Sequence, residues 1–305
     1  MFRTDMAREL YDANRRLEGV SEECFKDGQL EVSRIVVESE AAAGALGQPR
    51  GRYVTIELPE EASFVEDTQA SIIRRVAEEL SRLMEGVDPE GELLVLGLGN
   101  RFVTPDSLGP RTVDKIFVTR HIRQHVPEAA PAGMRSVSAV APGVLGTTGM
   151  ETVEIVMGLI DRTRPAALLC IDALASRRAD RISASIQIND TGIQPGAGVH
   201  NRRAGITEES MGIPVFAIGV PTVVDANTII GAAVERLVRE TGESDAKNLL
   251  GQMAEKLMPE QLRDLVVTPK EIDTIIESAS RRLAEGINRA LHGQAHDELR
   301  MLLQN

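Results

Sequence analysis

Two aspartates are the residues of this chain best placed to do chemistry. Asp106 lies in Val103-Thr104-Pro105-Asp106-Ser107, shortly after Gly97-Leu98-Gly99-Asn100, and Asp172 closes the apolar run Ala167–Ile171. Two carboxylates facing each other in a dry site cannot both ionise cheaply. One keeps a proton near neutrality, and the pair can then act as base toward water and as acid toward a leaving amide nitrogen. Taken singly, each aspartate also fits a plainer role, the cap of a following turn or helix. Finding both at strand ends makes catalysis a competitive reading.

Other stretches offer supporting chemistry. The loop Gly143–Gly149 precedes a helix, so its backbone amides and the hydroxyls of Thr147 and Thr148 could bind an anion or a developing oxyanion; a flexible connector is an equally good reading. Arg177, Arg178, Arg181, Arg202 and Arg203 form a basic group suited to an acidic substrate side chain, or to plain solvation. Asp190-Thr191-Gly192 matches the triplet of pepsin-like proteases, but those are all-β and the triplet is also a good turn, so Asp190 is a secondary candidate. Gly97-Leu98-Gly99 begins like a dinucleotide fingerprint, and Phe102 stands where its third glycine belongs. His200 is the one histidine near these loops, without a second at ligand spacing. No metal or cofactor is assigned.

The elements that must hold these residues read as alternating strands and helices. Strands are expected at Ser33–Glu38, Tyr53–Leu58, Leu93–Leu96, Ser136–Val140, Ala167–Ile171, Ser185–Ile188 and Val215–Ile218. Helical spacing runs over Asp5–Leu17, Phe64–Glu85, 108–125, Glu151–Arg162, 226–240 and 246–257. The last helix has a start signal in Thr268-Pro269-Lys270-Glu271, with Thr at the N-cap, Pro at N1 and Glu at N3. The alternation predicts an α/β fold, a twisted, mostly parallel sheet covered by helices on both faces. If the strands before the loops at 97–110, 141–152 and 171–178 are neighbours, all three loops open on one edge, where such sheets hold ligands.

Composition narrows the classes. The chain has 305 residues, 42% apolar and 26% charged, enough for a sizeable core. A net charge of −12 disfavours a non-specific nucleic-acid binder, and 3% aromatics disfavour base stacking. Cys24 and Cys170 are too few for a disulfide framework. No apolar run of membrane-spanning length and no signal core stands out, so a cytoplasmic protein without a membrane partner is expected. From the residues alone, a non-catalytic anion-binding module and a metal-dependent peptidase using Asp106, Asp172 and His200 stay open beside the two-aspartate reading.

Several long motifs, in order, resemble one family. "GLGN", "VTPDSLGP", "PGVLGTTGMET", "CIDALASRR", "IQINDTGIQPGAGVHNRR", "GIPVFAIGVPTVVDA" and "VVTPKEID", with "RTDMARE" near the N-terminus, are similar to the germination protease (spore endopeptidase) of spore-forming Firmicutes, densely over roughly residues 90–292. The resemblance implies an atypical aspartic endopeptidase that degrades small acid-soluble spore proteins during germination, in the forespore or spore core. It implies a fold similar to hydrogenase maturation endopeptidases, a homotetramer, and essential aspartates at Asp106 and Asp172. It also implies a zymogen that removes its own prosegment at a site resembling the substrate's. Here Asp5, Met6, Ala7 and Glu9 supply that pattern, so cleavage after Asp5 is expected, leaving 6–305 as one α/β peptidase domain with a helical C-terminal region from about 226.

Overall fold

A computed structural model describes residues 4–13, 17–59, 66–194, 204–226, 228–230 and 265–303. Among these, the strands join into one nine-stranded sheet. In chain order they are β1 (Val20–Asp27), β2 (Leu30–Val37), β3 (Gly51–Glu57), β4 (Leu93–Gly97), β5 (Val137–Val140), β6 (Ala167–Ser176), β7 (Ser185–Asn189), β8 (Val215–Asp225) and β9 (Val266–Val267). The spatial order is β1-β2-β3-β7-β8-β6-β4-β5, with β9 added to β8. Pairings among β8, β6, β4 and β5 are parallel, and this is the α/β unit the sequence predicts. From β8 outward through β7, β3, β2 and β1 every pairing is antiparallel, so the sheet as a whole is mixed.

The helices are α1 (Ala7–Ala13), α2 (Glu40–Leu46), α3 (Glu66–Leu83), α4 (Leu108–Val113), α5 (Arg120–His125), α6 (Leu145–Thr148), α7 (Thr152–Thr163), α8 (Glu208–Met211), α9 (Ile272–His292) and α10 (His296–Leu303). Alternation along the central strands divides the core. Leu169 and Ile171 of β6 join Ile72, Val76 and Leu80 of α3 and Ile276, Leu283 and Ile287 of α9 on one face. Leu168 and Cys170 join Leu94, Leu96 and Val156 of α7 on the other. Strand β6 is covered on both sides, which is why it reads as a continuous apolar run rather than an alternation. The crossing of α3 and α9 is close at Gly286, where a Cβ would approach Val76 Cγ1 to 2.6 Å.

The structure corrects several boundaries. β6 does not end before Asp172 but runs on to Ser176, because β8 continues beside it through Val224. The helix expected over 108–125 is two short helices; between them the Phe117 N–H donates to Asn288 Oδ1 at 2.9 Å and the Thr119 hydroxyl to the Arg135 carbonyl at 2.5 Å, bonds a continuous helix would not leave available. Thr268 is not an N-cap. Its hydroxyl donates to the Thr222 carbonyl at 2.9 Å, tying it to the sheet beside β9, and α9 starts only at Ile272, after Glu271. Strand β1 was not legible, since it is polar on both faces and mostly exposed at the sheet edge. The helices expected at 226–240 and 246–257 lie almost wholly outside the described residues.

Candidate active site

The strands β6, β4 and β5 are parallel neighbours, so the loops after β4 and β5 open on the same edge, level with the last third of β6. The loop after β4 turns back sharply and carries Asp106 in a single 3-10 turn, Thr104–Asp106. Glycines permit the return. Gly99 has φ +108°, and a Cβ there would lie 2.1 Å from the Asp106 carbonyl oxygen and 2.9 Å from its Oδ1. Three residues after Asp106, a Cβ on Gly109 would come within 2.5 Å of the Ile171 carbonyl, next to Asp172. The turn that bears one aspartate is thus packed directly on the strand that bears the other. The Leu98 N–H, donating to the Ile171 carbonyl at 2.8 Å, pins the same junction.

Neither aspartate caps a helix in the manner first expected. Asp172 lies within β6, on the face continued from Leu168 and Cys170, and its Oδ1 accepts only a local bond from the Ala173 N–H at 2.8 Å among the bonds resolved. Asp106 Oδ2 accepts from the Asn100 N–H at 2.7 Å, closing the loop on itself. Asp172 is 8% exposed. Burial, then the neighbouring Asp106 charge, pushes its carboxyl well above the ordinary carboxylate range; the Ala173 N–H opposes this weakly and the Asp5 charge adds to it. Cys170, one pleat earlier, is raised by burial and by the Asp172 charge. The space for β6 to pass here comes from β8: a Cβ on Gly219 would lie 2.8 Å from the Asp172 carbonyl oxygen.

The N-terminal segment is docked nearby. The Asp5 N–H donates to the Ala175 carbonyl at 3.0 Å, and the Ala175 N–H donates to Asp5 Oδ2 at 2.8 Å. Gln187 of β7 grips the backbone on either side of Met6: its Nε2 donates to the Asp5 carbonyl at 2.9 Å and its Oε1 accepts from the Ala7 N–H at 2.7 Å. Met6 and Ala7 are fully buried. Glu9 follows, accepting from the Ser176 hydroxyl at 2.7 Å and the Arg177 N–H at 2.8 Å, with Arg181 Nη1 at 3.6 Å. Burial pushes the Asp5 carboxyl up to about 6; the Ala175 N–H pulls it down and the Glu9 charge raises it.

The remaining candidates are dispersed. Thr147 and Thr148 lie in α6, where both hydroxyls donate to the Val144 carbonyl, at 2.9 and 3.2 Å, and stabilise their own turn. Arg177 meets the N-terminal segment through its backbone, whereas Arg178 pairs with Asp180 on the surface. Asp190 follows β7 at the level of the amino-terminal part of β8, where it accepts from Arg52 N–H at 2.7 Å and Arg52 Nε at 2.6 Å, away from Asp172. Arg202, Arg203 and His200 lie outside the described residues. Among the described residues no group of three or more His, Cys, Asp and Glu side chains is arranged to hold a metal ion. No described helix is long and apolar enough to cross a membrane.

Sequence reasoning passed over Gln187 and Gly219, and named Glu9 only within the N-terminal motif, not as the partner of Ser176 and Arg177. For Gln187 a signal existed: it is polar, 4% exposed, and alternates with Ile186 and Ile188 in a strand with no wet face. Gly219 interrupts an otherwise apolar strand, the usual mark of a close backbone approach. Glu9 carried no signal beyond its place in the N-terminal motif.

The family model of germination proteases matches residues 2–262. This chain belongs to that family. A germination protease of Clostridium perfringens is 45% identical over 95% of this chain and 94% of its own length. One from Caldanaerobacter subterraneus subsp. tengcongensis is 44% identical over 99% and 98%. One from Bacillus cereus is 36% identical over 96% and 94%. The chain is therefore a peptidase, which is the activity the resemblance implies. Among solved structures, a nickel–iron hydrogenase maturation protease from Thermococcus kodakarensis aligns with 70% of this chain and 98% of its own, at 17% identity and a TM-score of 0.36.

Proposed function

We propose that this protease cleaves peptide bonds with a water molecule activated between Asp106 and Asp172, that its substrates are small acid-soluble spore proteins degraded at germination, and that it is made as a self-processing precursor. The observation that carries the reading is the packing of the Asp106 turn onto β6 at Ile171–Asp172, where burial and the Asp106 charge raise the cost of ionising Asp172. In the resting pair one carboxyl holds a proton. The ionised one takes a proton from water as the hydroxyl oxygen bonds to the peptide carbonyl carbon, and the protonated one donates to the carbonyl oxygen. Collapse of the resulting diol delivers a proton to the amide nitrogen, the C–N bond breaks, and carboxyl and amine products leave. General acid–base help of this kind contributes about 10²- to 10⁴-fold.

The docked N-terminal segment supports the precursor reading. The residues flanking the expected self-cleavage site, Asp5–Met6, are held in place: Ala175 binds Asp5, and Gln187 binds the Asp5 carbonyl and the Ala7 N–H. Ala175 lies three residues past Asp172, roughly 10 Å at the rise of a strand. The expected scissile bond is thereby docked on the sheet near the pair, close enough for the Asp5 charge to act on Asp172, which fits a precursor held before cleavage. A homotetramer and a spore-core location are part of the same reading.

The test is incubation of the full chain with a spore-protein peptide, with product and protein N-termini followed by mass spectrometry. The wild type should cut the peptide after an acidic residue and lose Met1–Asp5. Asp106→Asn and Asp172→Asn should fold and do neither. Full turnover by either variant removes that aspartate from the mechanism.

A further inference from the structure

A second polar site lies on the α3–α9 face of the sheet. A cleft of about 970 Å³ opens there, with Arg282 in its wall beside Ile73, Phe117 and Ala284. Arg282 is 5% exposed, yet among the described residues its Nε and Nη1 have no hydrogen-bond partner. It lies one turn before Gly286, where α9 presses on α3, so the guanidinium is held inside the helix packing rather than free to reach water. A buried cation without a partner costs several kcal/mol, and groups of this kind are ordinarily paired. Burial accordingly disfavours its charged form.

The acids of the cleft do not supply the missing partner. Glu277 is taken by Arg281 at 2.7 Å, Lys115 at 3.5 Å and Arg111 at 3.7 Å. Glu285 is taken by Arg289 at 3.0 Å, His296 at 3.3 Å and Arg300 at 3.9 Å. A third acid, Asp273, also lines the cleft, but the lining cations Lys115, Arg281, Arg282, Arg289 and Arg300 still outnumber the acids in a protein whose overall charge is −12. The site combines a desolvated guanidinium, a positive rim and an apolar wall, in a volume typical of organic ligands.

We propose that this cleft binds a small organic oxyanion, a carboxylate or a phosphate monoester with an apolar body, whose charged group sits on Arg282. The anion satisfies the guanidinium, and the body lies against Ile73 and Phe117. The site is separate from the aspartate pair and does not depend on the proposed mechanism.

Thermal unfolding of the full chain tests it, with phenyl phosphate and phenylacetate as probes and sodium chloride at matched ionic strength as control. At about 10 mM, at least one probe should raise the midpoint by ~2–5 °C and chloride should not. The probe that acts distinguishes a phosphate site from a carboxylate site. Arg282→Met should have a higher midpoint than wild type without any anion, because it removes an unpaired buried charge, and should lose the probe's effect. Asp172→Asn should keep that effect. If Arg282→Met does not fold, Arg282→Lys should show the probe shift reduced by half or more. The proposal is overturned if neither probe acts, if the shift survives Arg282→Met or is undiminished in Arg282→Lys, or if it disappears in Asp172→Asn. It is also overturned if Arg282→Met changes the oligomeric mass, which would make the partner of Arg282 a carboxylate from a second copy.

Discussion

Glu79 and Asp172 are both acids inside this protein, and they are buried in opposite ways. Glu79, 1% exposed on α3, receives Arg34 Nε at 3.0 Å and Nη2 at 2.7 Å, with Arg75 at 3.3 Å. It serves the antiparallel side of the sheet, where Arg34 of β2 also reaches Glu23 of β1 at 2.9 Å. Asp172, on the parallel side, faces Asp106 and Asp5, and only its own neighbour's N–H bonds to it among the bonds resolved. One acid is neutralised by its surroundings and the other is loaded by them. A buried charge with partners belongs to the framework; one surrounded by like charges is costly to ionise.

Substitutions can break that contrast. The largest effect is expected from Asp172→Asn: peptide cleavage should fall by about 10³-fold or more, while urea unfolding shows no loss of stability, because the amide removes an ionisation the site disfavours. A stability loss comparable to that of Glu79→Ala would erase the distinction. Glu79→Ala should do the converse, costing about 3 kcal/mol in urea unfolding by stranding Arg34 and Arg75, with kcat per folded molecule unchanged. Gly99→Ala falls between them. Its φ of +108° and the closeness of Asp106 should cost about 1–2 kcal/mol and reduce cleavage roughly 10²-fold by displacing that turn, read as paired stability and kcat measurements.

A subtler contrast lies in pH. Asp5, buried and facing Glu9, has its carboxyl raised to about 6 when docked, against 3.8 when free. The docked segment binds that proton more tightly than the released one, so docking is firmest below about 4, weakens as pH rises toward 6, and stays weaker above. Hydrogen exchange at the Ala7 amide should be slower at pH 5 than at pH 7.5 after correction for the intrinsic rate. Equal protection would mean that Asp5 is not ionising in place. The smallest effect should come from Arg178→Ala, which breaks only the surface pair with Asp180 and should shift stability by less than about 0.5 kcal/mol.

The parallel strands were legible because each is an apolar run bounded by turn residues, and sheets of that kind put function at the carboxyl ends. The pair Asp106 and Asp172 was singled out by that rule, although Asp172 lies within β6 rather than at its end. Their meeting could not be read, since it depends on glycines 99, 109 and 219 letting backbones approach, and spacing along a chain carries no information about such contacts. The clamp around Asp5 was hidden for a related reason: Gln187 is 182 positions away, and a lone polar residue in a strand does not announce its partner. Strand β1 escaped because an edge strand exposed on both faces shows no alternation.

The irregularity in the β6–β8 ladder between Leu174 and Ala175 has a consequence of its own. Side-chain direction in a strand is inherited from residue to residue, so a slip anywhere upstream would swing every later group to the wrong surface. Here the slip falls after Asp172 and before the residue that grips the N-terminal segment. The acid takes its aim from the regular ladder behind it, and the grip takes its own from the ladder ahead. Reshaping that one joint can therefore change how firmly the N-terminal segment is held without turning the Asp172 side chain.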